Sequence, residues 1–205
     1  MRLQRQVLAI ALLLTTSVIA VGRLSTEQKR ERLRMLRADS FNRTKLTPLD
    51  QAYLDALSLL NQPGACSEFF GGHAAERALE EFTIQLSEER INNPSLGIRM
   101  SGPFTQFTNA ETGATYRLFA NAELNTEGPF YKAKIFPSEP QVPNVGAFGP
   151  NTRPARVLIL LHELGHLIQG KDGRWLIPDD GGNPQLSRHN TNTVESRCRN
   201  QIRKL

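Results

Sequence analysis

The chain has 205 residues, 39% of them hydrophobic and 7% aromatic, and a formal net charge of +5. That length fits one domain of ordinary size after processing. The positive charge is modest and comes with neither aromatic interleaving nor a nucleic-acid motif, which excludes nucleic acid as the expected partner.

Met1 to Ala20 reads as a secretory signal. Arg2 and Arg5 form a basic start, Val7 to Leu14 an apolar centre, and Val18-Ile19-Ala20 a small-residue exit. The apolar stretch is too short and too Thr-interrupted to predict a membrane span, and no cysteine stands near Ala20 to carry a lipid. Cleavage after Ala20 removes two arginines and no acids, lowering the net charge from +5 to +3. An uncleaved N-terminal anchor is the alternative. In both cases the body of the protein is expected outside the cytoplasm, secreted or periplasmic; with the signal cleaved, the mature chain is expected to lack a membrane span.

Residues 21–46 form a basic arm in which Lys29, Arg30, Arg32, Arg34 and Arg37 crowd one predicted helix over 24–38. This reads first as a solvated helix, and second as a contact for a membrane surface or an acidic partner. The main domain is expected over 47–205. Thr47-Pro48 is a helix start, and Leu49, Tyr53, Ala56, Leu57 and Leu60 give that helix one buried face. Pro63-Gly64 ends it. A further helix carries the stripe Ala75, Leu79, Phe82 and Leu86, with His73 at its start as a cap or surface residue. Cys66 and Cys198 are expected to pair in an oxidising compartment, tying the early helical region to the last helix.

From about Gly97 the pattern turns to β. Phe104 to Phe107, Tyr116 to Leu124 and Phe130 to Phe136, separated by turn residues, predict a small antiparallel meander. Its edge would suit an extended peptide. A Pro- and Gly-rich loop over 137–151 leads to a helix beginning near Thr152-Arg153-Pro154. That helix is apolar all round, hence central and buried, and is expected to stop at Gly170. Ser187 is the predicted cap of a final helix whose inner face holds Thr191, Val194, Cys198 and Ile202. The expected fold class is α+β: a small antiparallel sheet packed on helices, with a central helix and a C-terminal helix.

The central helix carries His162-Glu163-Leu164-Gly165-His166, an H-E-x-x-H pentapeptide between Val157-Leu158-Ile159-Leu160-Leu161 and Leu167-Ile168. Residues four apart project from one helix face, so the two imidazoles can grip one Zn²⁺ with Glu163 beside it. A catalytic zinc takes three protein ligands and keeps one position open, and the water it holds becomes acidic enough to ionise near neutral pH. Glu163 is the candidate general base and proton shuttle. The third ligand is open at this point. Asp180 or Asp179, after the apolar anchor Trp175-Leu176-Ile177-Pro178, come first; Glu195 on the last helix follows, then Asp172 and His189. His189 and Tyr131 are candidate oxyanion stabilisers.

Through Ile159 to Ile168 the sequence resembles the zincin metallopeptidases, aspzincin-like if Asp180 ligates and gluzincin-like if Glu195 does. The aspzincin G-T-x-D motif is absent. The metzincin arrangement, with Asp172 as ligand, would need glycine where Gln169 stands. The resemblance implies a zincin-like fold, zinc bound by His162 and His166, catalysis by Glu163 and a peptide or protein substrate. The rival expectation is a secreted structural or interaction protein whose zinc site has no open position.

Overall fold

The computed structural model describes residues 24–38, 46–133 and 142–205. The predicted signal and residues 134–136 of the third predicted strand lie outside them. The first helix, α1 (Thr26–Arg37), opens with a capping box in which Ser25 and Gln28 satisfy each other's backbone N–H. Leu33 and Leu36 are buried. Several of its cations are engaged by the domain: Arg32 Nε donates to Asp50 at 2.8 Å, Arg37 bonds Glu76 and Glu80 at 2.8 Å each, and Lys29 donates to the Leu86 carbonyl at 2.7 Å. The arm is thus docked on the helices that follow it.

Helix α2 (Pro48–Asn61) starts as predicted, with Thr47 and Asp50 forming a capping box and proline in the first turn. A short helix, α3 (Ala65–Phe70), carries Cys66, and a 3-10 turn at Gly72–Ala75 leads into α4 (Glu76–Gln85). The strands are β1 (Ser87–Glu89), β2 (Ile98–Thr108) and β3 (Thr115–Asn125). Their order is β1-β3-β2; β2 is antiparallel to β3 and β1 is parallel to it. The sheet is therefore mixed, which corrects the antiparallel meander.

Two local causes explain the difference. Ser87-Glu88-Glu89 has no apolar alternation, so its pairing with β3 leaves no periodic signal. After β3 the chain turns instead of extending: Tyr131 and Lys132 return their N–H groups to the Gly128 carbonyl at 3.1 and 2.9 Å, and Phe130 is fully buried. No strand occurs over the described residues 126–133.

The fifth helix, α5 (Arg153–Leu167), is capped by Thr152 and is the centre of the core; Leu158, Leu160, Leu161, Leu164 and Leu167 are fully buried. It ends before the predicted Gly170, because Ile168 bridges Tyr116 and Gln169 donates to the Thr115 carbonyl at 3.0 Å. Strand pairing there replaces the helical bonds. The last helix, α6 (Pro184–Ile202), begins a turn earlier than Ser187, since the Asn183 side chain caps Gln185 and Leu186 and Pro184 follows it.

Arg153 grips Asp55 through two bonds of 2.6 and 2.7 Å, joining α5 to α2. A Cys66–Cys198 disulfide, 132 residues apart in sequence, joins α3 to α6. In the chain-entropy treatment a closure of that length contributes about 4–5 kcal/mol. Among the described residues no helix is long and apolar enough to cross a membrane.

Candidate metal centre

Helical spacing on α5 brings His162 and His166 together with their Nε2 atoms 3.1 Å apart. The third member of the cluster is Asp180. Its Oδ2 lies 3.3 Å from His162 Nε2 and its Oδ1 3.6 Å from His166 Nε2. One ligand-type atom from each residue falls within 4.8 Å of the others. The two separations run to different Asp180 oxygens, so both oxygens of the carboxylate border the site, and two imidazoles with one carboxylate form a donor set that a divalent metal, zinc among them, accepts.

Asp180 is delivered by the segment after α5. Ile177 bonds back to the Gly165 carbonyl at 3.2 Å, and its side chain lies over the face that glycine leaves bare: a Cβ there would sit 3.0 Å from Ile177. Asn190 of α6, fully buried, then donates to the Pro178 carbonyl at 2.8 Å and to Asp180 Oδ1 at 2.6 Å. Burial alone would raise the Asp180 carboxyl, but the hydrogen bonds of His162, Ser187 and Asn190 outweigh it and hold the group down at about 2.

Each histidine has a distinct outer environment. Thr191 Oγ1 donates to the Ser187 carbonyl at 2.9 Å and therefore accepts from His162 Nδ1 at 3.1 Å. Neutral His162 thus carries its proton on Nδ1 and turns its Nε2 lone pair into the triangle. Burial and the neighbouring His162 push His166 down to about 4. Burial opposes charge on His162 too, but the Asp180 hydrogen bond and the Glu163 and Asp180 charges raise it overall. The Glu163 carboxylate has no hydrogen-bond partner among the described residues. Burial pushes its carboxyl up to about 7, with Asp180 adding to the shift and His162 opposing it.

Asp179, the neighbour of Asp180, is held by Arg117. The Arg117 side chain is only 3% exposed and pairs with Asp179, while its Nε donates to the His166 carbonyl at 2.9 Å. Its guanidinium lies 4.2, 4.9 and 5.1 Å from the Trp175, Phe119 and Phe104 rings.

The other sequence candidates stand outside the triangle, although Glu195 lines the same cleft. Glu195 is buried at 1% exposure, but its carboxylate takes the Ala147 N–H and the Arg199 Nε, which anchors the 142–149 loop against α6. Asp172 is exposed and closes a turn by accepting from the Arg174 N–H at 3.1 Å. His189 is exposed on α6, and Tyr131 donates its hydroxyl to Glu88. Sequence reasoning missed Arg117, Asn190 and Thr191. A charged residue between Tyr116 and Leu118 in an apolar strand, Thr191 as the polar member of the inner stripe of α6, and Asn190 beside it were the available signals.

The triangle lies in a cleft of about 1060 Å³ between Ile98–Met100 of β2, the 143–147 segment, α5 and the first half of α6. Glu163 also lines it. No protein-family model, curated protein or solved structure matches this chain.

Proposed function

We propose that the chain is an exported zinc metallopeptidase with a zincin-like fold, in which His162, His166 and Asp180 hold the ion and Glu163 is the general base. The observation that carries this reading is the pair of Nε2 atoms 3.1 Å apart, with Asp180 Oδ2 3.3 Å from one and Oδ1 3.6 Å from the other, inside a cleft that Glu163 also lines. Among the described residues only three donors meet there. Three protein ligands suit a catalytic zinc, whereas a structural site is closed by four. This favours hydrolysis over the structural alternative.

His162, His166 and Asp180 would hold a divalent ion, which would supply Lewis acidity, polarising a carbonyl and lowering the pKa of water. Glu163 takes a proton from the water that attacks the peptide carbonyl and gives it to the amine nitrogen as the C–N bond breaks. Asn190 holds Asp180 in its ligating pose, and Thr191 keeps the His162 lone pair directed inward. The substrate lies along β2, whose described pairing is with β3, so that an extended peptide can add as a strand. The Cys66–Cys198 bridge supports export to an oxidising compartment.

Metal analysis of the purified chain, paired with casein and peptide-library digests, tests the reading. One zinc per chain and cleavage that stops on chelation are expected. Glu163→Gln should retain zinc and fold but lose about 10²–10⁴-fold in kcat/KM. Loss of fold on chelation, with indifference to Glu163→Gln, would identify the structural alternative.

A further inference from the structure

Resting on the metal reading above, we infer that Asp179 is a positioning residue: the hydrogen-bond acceptor for His166 Nδ1–H, held ready for that role by Arg117. An imidazole that gives its Nε2 lone pair to a metal must keep its proton on Nδ1, and that N–H needs an acceptor. His162 already has one in Thr191. His166 does not. Its Nδ1 is buried without a hydrogen-bond partner, although the ring is 4% exposed and its Nε2 faces the triangle.

The carboxylate that faces this nitrogen is Asp179, with Oδ1 at 4.0 Å. A closing movement of about 1 Å would complete the bond. Arg117 connects both ends of the gap, since it pairs with the same Asp179 oxygen and donates its Nε to the His166 carbonyl at 2.9 Å. The Trp175, Phe119 and Phe104 rings hold the guanidinium where it can do both. Consecutive aspartates thereby serve opposite sides of one ring: Asp180 meets Nε2 and Asp179 meets Nδ1. The half-exposed position of Asp179 lets its carboxylate make this movement without breaking core packing.

The test is zinc affinity of the full chain, measured against a chromophoric chelator, with proton NMR of the zinc-loaded protein. Asp179→Ala should weaken zinc binding about 10–100-fold and Asp179→Asn less, because the amide keeps a neutral acceptor oxygen. The His166 Nδ1–H resonance should lie far downfield and exchange slowly in the wild type. In both variants it should move upfield while that of His162 stays in place. A purely structural role for Asp179 would leave that resonance unmoved. Should Asp179→Ala fail to fold, judged by circular dichroism without zinc, Asp179→Asn carries the comparison. Zinc affinity and a His166 proton equal to wild type in the folded variant would overturn the assignment of Asp179 alone. A wild-type chain that binds no zinc would remove the metal centre, and the role of Asp179 with it.

Discussion

The two aspartates at 179 and 180 have the same chemistry, and their surroundings give them different work. Arg117 occupies the first, while Asn190 and His162 engage the second. The same logic applies to Thr191, whose hydroxyl is already committed as a donor to Ser187 and so must accept from His162. Thr191→Val keeps the shape of the side chain and removes that acceptor. On the proposed zinc reading it should weaken zinc binding about 10-fold, the lower end for an outer-sphere partner, and Thr191→Ser should restore most of the loss in the same titration. The sequence named His162, Glu163 and His166 because their spacing is local. It left the third position open among Asp179, Asp180, Glu195, Asp172 and His189, since a carboxylate's reach depends on how a loop folds back. Glu195 illustrates the point: a buried glutamate on the right helix turns to a backbone N–H of the 142–149 loop.

At the scale of elements, α5 and the segment after it act as one unit. The helix start was readable from Thr152 and Pro154, because capping is a matter of neighbouring residues. Its end was not, because Ile168 and Gln169 leave the helix to bond with β3, a partner some 50 residues away in sequence. Gly165 joins the two halves of the unit, with Ile177 seated where a side chain would otherwise stand. A larger residue there must displace Ile177, three positions ahead of Asp180. Gly165→Val is expected to destabilise the fold by about 1–3 kcal/mol through overpacking and, on the proposed zinc reading, to lower zinc affinity as Asp180 shifts. Denaturant midpoints and metal titration on the same protein check both effects. Unchanged zinc affinity in a destabilised variant would uncouple the packing from the centre.

For the molecule as a whole, stability depends on ties between distant segments: the Cys66–Cys198 bridge, the Arg153–Asp55 pair and the docking of α1. Asp50 joins two of these scales, since its carboxylate accepts the Thr47 N–H in the α2 capping box and also binds Arg32 of α1. Burial alone would raise its carboxyl, but the Arg32 and Thr47 hydrogen bonds prevail and hold it below the usual 3.8. A carboxyl depressed in the fold binds protons more readily when unfolded, so its contribution is complete above about pH 4 and is lost as pH falls through the folded value. Asp50→Asn should therefore lower stability at neutral pH and flatten the acid limb of the stability profile, measured by urea unfolding between pH 2 and 7. An acid limb as steep as wild type would exclude this group as its source.

The sequence by itself determined the α+β class, most helix positions, the buried character of α5 and the placing of two imidazoles and a glutamate on one turn. These properties depend on residues a few positions apart, through periodicity and capping. The tertiary structure decided the parallel partner of β3, the early end of α5, and which carboxylate meets the imidazoles. Each of those rests on groups that adjoin only after the chain has folded, where a single guanidinium or amide determines which way a neighbouring aspartate turns.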